Sequence, residues 1–299
     1  MQKPDKIISL LEAGNFLAKN CPVPAGMAGV PSSASFAPRL AGQQPLVTIE
    51  SPMHDNVYVS VLIPAKNEAG NLAPLLEEVR SALAGEAYEV IVVDDGSTDG
   101  SASELRALKS AGFPQLRILS HARSLGQSTS LYHAVLAARG HWLATLDGDG
   151  QNDPADIPGM LALVRGTEGR PGGIKLVAGH RVNRRDTASK RWASRFANGL
   201  RSRLLKDATP DTGCGLKLIE REAFLRLPYF DHMHRFLPAL IQRHHGRTIV
   251  HPVHHRPRRT GTSKYGNLDR ALVGILDLFG VWWLIKRTRL DAVATETES

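Results

Sequence analysis

Apolar positions recur along most of the chain in two alternating rhythms. Tyr58-Val59-Ser60-Val61-Leu62-Ile63-Pro64 is a short β-branched run closed by proline, and it predicts a first strand. Leu72, Leu75, Leu76, Val79 and Leu83 then fall at helical spacing, predicting a helix over about 71–84. Tyr88-Glu89-Val90-Ile91-Val92-Val93 is almost continuously apolar, as in a parallel strand covered on both faces. A helix through Leu105 and Leu108 follows, then a strand over Leu116–Leu119, a helix over about 128–138 and a strand over Trp142–Leu146. Four strands alternating with three helices through short connections predict an α/β domain with a mostly parallel sheet and helices on both faces.

The flanks break this rhythm. Residues 1–56 read as a flexible appendage: Cys21 to Pro45 is rich in Pro, Ala, Gly and Ser without periodicity, and buries too little to offset its ordering entropy. The N-terminus also lacks the basic and apolar regions of a signal peptide. Near the other end, Ala271 to Ile285 is an apolar run of roughly 15 residues, about 22 Å as a helix and short of a roughly 30 Å hydrocarbon core. Asp277 interrupts it, and Trp282 and Trp283 are followed by Lys286, Arg287 and Arg289. That order suits a helix lying at an anionic membrane surface, with a buried packing helix as the alternative.

Composition excludes whole classes. With 42% hydrophobic and 22% charged residues among 299, the chain is neither disordered nor all membrane. Two cysteines, Cys21 and Cys214, cannot form a disulfide scaffold. Net charge is +8, unevenly spread: 13 basic against 18 acidic residues through Arg170, then 24 against 11. An acidic first part and a basic second part suggest a cation site feeding an anion site. Nucleic acid is a poor candidate for that anion, because the basic stretch from His180 to Lys206 holds only Trp192 and Phe196 as stacking aromatics.

In open α/β sheets ligands bind beyond the carboxyl ends of the strands. Three of the four predicted strands end in polar clusters there: Lys66-Asn67-Glu68, Asp94-Asp95 and Asp147-Gly148-Asp149. No Gly-x-Gly-x-x-Gly follows the first strand and no P-loop occurs, which argues against a dehydrogenase or a P-loop enzyme. Asp147 and Asp149 supply two hard oxygen ligands suited to Mg²⁺ or Mn²⁺, although Asp-Gly-Asp alone is also good turn chemistry. Seven histidines between His232 and His255 match no zinc spacing and read as surface or polar-network residues.

Ser60 to Glu68, Val92-Val93-Asp94-Asp95-Gly96-Ser97-Thr98-Asp99 and Thr145 to Pro154 together resemble the family 2 glycosyltransferases, nearest their dolichol- and polyprenyl-phosphate sugar transferases. Arg123-Ser124-Leu125-Gly126-Gln127, Asp211-Thr212-Gly213-Cys214-Gly215-Leu216-Lys217 and His255 to Tyr265 continue the resemblance in order. Ser124 stands where the family often has Asn, and Gly150 where it often has a larger apolar residue.

The resemblance implies a GT-A fold with a catalytic domain over 57–268; the apolar run read above then places a membrane-surface helix over 269–290, with a tail over 291–299. It also implies an inverting, metal-dependent transfer from a UDP- or GDP-linked sugar to a polyprenyl or dolichyl phosphate. Pro64, Ala65, Asn67, Glu68 and Asp94 would then line the nucleotide site, with Asp95 accepting from the base. Asp147 and Asp149 would hold the metal against the diphosphate, with Gln151 beside it. Arg181, Arg191 and Arg195 would receive the acceptor phosphate, joined by Arg256 and Lys264 from a Pro- and Gly-punctuated loop. Asp211 is the carboxylate expected to act as base or to orient the acceptor. A polysaccharide or lipopolysaccharide hydroxyl is the alternative acceptor, and that one requires a general base. A non-enzymatic protein binding an anionic ligand is a third reading. The expected location is cytoplasmic, peripheral to the inner face of a membrane.

Overall fold

The computed structural model describes residues 57–168, 172–182, 199–207, 209–257 and 267–288. The predicted appendage therefore lies outside the described residues, as do Arg191, Arg195 and Lys264.

The alternating first half folds as its periodicity predicts. Strands β1 (Val59–Ala65), β2 (Tyr88–Asp94), β3 (Leu116–Ser120) and β4 (Trp142–Thr145) are separated by helices α1 (Leu72–Ala82), α2 (Ser101–Ser110) and α3 (Gln127–Ala137). Helix α4 (Ile157–Val164) leads to β5 (Ile174–Arg181). Then come β6 (Lys217–Glu220), α5 (Arg221–Leu225), α6 (Leu237–Arg243), β7 (Arg247–Val253) and α7 (Asn267–Arg287). The last three strands were not predicted. β6 has four residues, and β7 is half-exposed and carries Arg247, His251 and Pro252, so neither shows a clean apolar period.

One seven-stranded sheet runs in the order β3-β2-β1-β4-β6-β5-β7. β1 pairs in parallel with β2 and β4, β2 with β3, and β5 with β7, whereas β6 is antiparallel to both β4 and β5. The two-residue period of the strands sorts side chains onto two cores. Val61, Ile63, Val90, Val92 and Ala144 face α1, α2 and α4. Leu62, Ile91, Val93 and Leu143 face α3, α5, α6 and α7. Each fully buried Leu, Ile or Val contributes about 1.5–3 kcal/mol. Glu89, a polar residue buried within β2, is offset by Arg117 at 2.6 Å, Ser60 at 2.7 Å and the Arg139 amide at 2.7 Å.

Candidate active site

The carboxyl ends of β1, β2 and β4 lie side by side, and their loops are tied together by side chains that the sequence places at turns. Asn67, in the left-handed conformation at φ 56°, accepts from the Thr98 amide at 2.8 Å, while its own amide donates to Ser97 Oγ at 2.9 Å. The Glu68 amide donates to Ser101 Oγ at 2.8 Å, and a Glu68 carboxylate oxygen accepts from Asn71. Asp94 is buried and accepts from the Ser97 amide at 3.0 Å. The Ala65 carbonyl accepts from the Asp95 amide. The residues expected at the nucleotide thus form one rigid rim.

Asp95 anchors the next segment. Its carboxylate accepts from His121 Nδ1 at 2.7 Å, Ser124 Oγ at 2.6 Å, the Leu125 amide at 2.7 Å and the Gly126 amide at 3.0 Å. Burial pushes its pKa up, but those hydrogen bonds outweigh burial and hold it at about 2. Four donors fill the roughly four acceptor positions of a carboxylate. A bond from a nucleotide base, as the sequence led us to expect, would have to displace one of them.

The segment so anchored delivers Gln127, whose Nε2 donates to Asp147 Oδ1 at 2.9 Å. Gly148 packs the Asp147–Asp149 turn onto β1, since a Cβ there would lie 3.3 Å from the Pro64 carbonyl and 3.4 Å from Glu68 Cγ. Gly215 is closer still: a Cβ would sit 2.2 Å from Asp147 Oδ2 and 2.6 Å from Asn152 Oδ1. The loop before β6 is therefore pressed onto the Asp147 carboxylate, and Thr145 Oγ1 holds it by donating to the Gly215 carbonyl. Asp149 accepts from the Gln151 amide at 3.0 Å, and the Gln151 carbonyl accepts from the Arg256 amide at 2.9 Å.

Burial raises the Asp147 pKa, and the neighbouring Asp149 charge raises it further, against the pull of Lys217 and Arg181. A cation between the two carboxylates would remove that repulsion. Among the described residues no group of three or more His, Cys, Asp or Glu side chains gathers to hold a metal. Two carboxylates with the remaining positions left to water and phosphate oxygens suit Mg²⁺ or Mn²⁺, which seldom occupies an all-protein cage.

Two expected acceptor-site residues are engaged differently. Arg181, at the end of β5, grips Asp211 through Nε at 2.7 Å and a second guanidinium nitrogen at 2.8 Å, and its backbone amide donates to the same carboxylate at 3.3 Å. Both side chains are nearly buried. This fork ties β5 to the loop that carries Gly215. Arg256 pairs with Glu78 at 2.7 Å and donates to the Asn152 carbonyl at 3.0 Å, fastening the end of β7 to α1 and to the residues after Asp149.

Beside Asp147 opens a cavity of ≈ 240 Å³, lined among others by Pro64, Gln127, Gly213, Lys217, His234 and Arg235. Sequence reasoning assigned no role to Gln127, Lys217, His234 or Arg235. The first two lie inside segments that carry the family resemblance, so a signal existed. His234 and Arg235 belong to a short turn before α6 with no motif, and only the fold brings them here. The Ser128 hydroxyl lies 2.7 Å from His234 Nδ1, fastening that turn to α3.

Comparison with known proteins identifies the family and the fold. The family model described as glycosyl transferase family 2 matches residues 60–227. The dodecaprenyl-phosphate galacturonate synthase of Rhizobium johnstonii is 34% identical over 236 residues, covering 77% of this chain and 68% of that protein. The undecaprenyl-phosphate 4-deoxy-4-formamido-L-arabinose transferase of Edwardsiella ictaluri is 34% identical over 212 residues, covering 70% and 63%. The chain thus spans about two thirds of the length of these relatives. Among solved structures, glucosyl-3-phosphoglycerate synthase of Mycobacterium tuberculosis, in complex with Mn²⁺, UDP and phosphoglyceric acid, superposes with a TM-score of 0.55. It is 20% identical, over 80% of this chain and 82% of its own. A mannosyltransferase from Pyrobaculum calidifontis, in complex with GDP-mannose and Mn²⁺, gives 0.56 at 22% identity over 78% and 66%. The two structures share the GT-A fold with this chain. With a family model matched over more than half its length and relatives one third identical, the chain belongs to glycosyl transferase family 2.

Proposed function

We propose that the protein transfers a sugar, with inversion, from a UDP- or GDP-linked donor to a polyprenyl phosphate. The observation that carries this reading is the interlocked cleft in which the ends of β1, β2 and β4 and the loop before β6 converge on Asp147. The relatives' names supply the acceptor class, since they join sugars to dodecaprenyl and undecaprenyl phosphate. They name an acidic sugar in one case and a formamido-arabinose in the other at equal identity, so the sugar remains for experiment.

In this reading the rim from Pro64 to Glu68, with Asp94, seats the nucleoside. Asp95 acts by fixing residues 121–126 beneath it. Asp147 and Asp149 hold the metal, and a bound Mg²⁺ or Mn²⁺ would neutralise charge on the departing diphosphate as a Lewis acid. An oxygen of the acceptor phosphate forms the new bond to the anomeric carbon as the bond to the donor phosphate breaks, and the nucleoside diphosphate leaves with the electron pair. The acceptor oxygen is already ionised near neutral pH, so no proton has to be removed. The engagement of Asp211 by Arg181 favours this acceptor over a neutral hydroxyl, which would need a base with an accessible lone pair.

The membrane association expected from the sequence gains support from α7. Leu278 and Val281 of that helix are buried against the domain, whereas Leu276, Phe279 and Trp283 are 72%, 55% and 53% exposed. We take this face, with Lys286 and Arg287 at its end, as the surface that meets an anionic bilayer. Among the described residues no helix is long and apolar enough to cross a membrane.

The test is a panel of radiolabelled UDP- and GDP-sugars with Mn²⁺ and a short-chain polyprenyl phosphate, followed by chloroform–methanol partition. Label should enter the organic phase with wild type and stay aqueous with a folded Asp147→Ala variant. Transfer to soluble sugars alone would replace this reading with the hydroxyl-acceptor one.

A further inference from the structure

Of the donors that close around Asp95, the Leu125 amide at 2.7 Å and the Gly126 amide at 3.0 Å belong to the two residues before Gln127. On the far side of Gln127, Ser128 is buried with its hydroxyl 2.7 Å from His234 Nδ1, and the Gly126 carbonyl accepts from the Ser130 amide at 3.0 Å. The backbone of Gln127 is therefore clamped from both directions. Its side chain is exposed, yet Nε2 donates to Asp147 Oδ1 at 2.9 Å. Holding an exposed glutamine in one place costs rotamer freedom, and a fixed backbone leaves only the side-chain torsions to be ordered.

The amide suits a carboxylate that is to receive a cation. A lysine at this position would neutralise the charge that attracts the ion, and a glutamate would repel Asp147. A neutral amide takes one acceptor position on Oδ1 and leaves the charge and the other lone pairs to the metal. Groups that hydrogen-bond a ligating carboxylate fix its orientation, and losing one commonly costs about ten- to hundredfold in metal affinity.

Resting on the part of the transferase reading that puts the metal on Asp147 and Asp149, we propose that Gln127 orients Asp147 for the ion. Asp95 then acts on the metal site, through residues 125–127, and does not read the base. Both are positioning residues. The contacts run from the end of β2 through the first turn of α3 to the end of β4, two strands that β1 separates in the sheet.

The test is a titration of the full chain with Mn²⁺, with and without UDP or GDP, in which free Mn²⁺ is read by electron paramagnetic resonance. Gln127→Met keeps the length and loses the donor. It should weaken Mn²⁺ about ten- to hundredfold and leave the melting point and the metal-free nucleotide affinity where they were. Asp95→Asn replaces an acceptor oxygen with a donor among donors, and should weaken Mn²⁺ as well. The two losses should not add: the double variant should bind Mn²⁺ as Gln127→Met does. If Asp95→Asn does not fold, Ser124→Ala, which removes one donor to Asp95, takes its place with a smaller loss. Unchanged Mn²⁺ affinity in Gln127→Met overturns the proposal, as do additive losses in the double variant. So does an Asp95→Asn protein that holds Mn²⁺ normally but changes its preference between UDP and GDP, or a wild type that takes up no Mn²⁺. Failure of the transferase reading has a separate signature, a wild type that binds Mn²⁺ and neither nucleotide. The effect of Gln127→Met on Mn²⁺ alone then still decides the assignment.

Discussion

Gly215→Ala is the sharpest perturbation the cleft offers. The added Cβ would lie 2.2 Å from Asp147 Oδ2, 2.5 Å from its Cγ and 2.6 Å from Asn152 Oδ1. Ordinary contact begins near 3.4 Å, so the carboxylate or the loop must retreat by more than 1 Å. The loop is held by Thr145 at the Gly215 carbonyl and by the Arg181–Asp211 fork, whereas the Asp147 side chain is held by the neutral amide of Gln127 at 2.9 Å. Asp147 is therefore what moves. A displacement of about 1 Å at a reacting centre costs on the order of 10²-fold in rate, while overpacking of this kind costs about 1–3 kcal/mol in stability. The expected result is a folded protein with a melting point lowered by a few degrees, kcat down about a hundredfold and weakened Mn²⁺ dependence. Purified variant and wild type would be compared by thermal melting and by transfer at several Mn²⁺ concentrations. A Gly215→Ala protein with more than half of wild-type kcat would mean that Asp147 does not carry the chemistry.

Three further outcomes are expected. Asp211→Asn leaves the buried Arg181 guanidinium without its counter-charge and should lower unfolding free energy by about 3 kcal/mol in urea titrations, while the acid limb of the pH–rate profile stays where it was; loss of that limb would restore Asp211 as a base. Asp95 has a folded pKa of about 2 against about 3.9 unfolded, so its contribution to stability is complete above about pH 4 and drains away as pH falls toward 2. The stability gap between wild type and Asp95→Asn should accordingly narrow between pH 5 and pH 3, and a constant gap would contradict the hydrogen-bonded anion. Replacing Phe279 and Trp283 together by Asp should cut co-sedimentation with anionic vesicles at least tenfold, since each large apolar side chain contributes about 1.5–3 kcal/mol when buried in lipid; the melting point should not move, as neither side chain belongs to the core.

The first half of the fold and the positions of its acidic turns were legible in the chain because both follow from local rules. Strand and helix periods are written in consecutive residues, and a parallel α/β series must gather its strand ends on one side. Asp94, Asp95, Asp147 and Asp149 could thus be placed at one edge without coordinates. What their side chains do there is not a local property. Asp95 was expected to meet a ligand, yet the tertiary structure gives it four donors from residues 121–126. Arg181 and Asp211, thirty positions apart, were assigned separate roles and turn out to be one ion pair. β6 and β7 were invisible because a four-residue strand and a half-exposed strand show too little apolar period. β6 is also what carries Lys217 to the cavity beside Asp147. Residue types and their order set which chemistry the chain can perform; the pairing of strands distant in sequence decided which charges neutralise one another and which face the cleft.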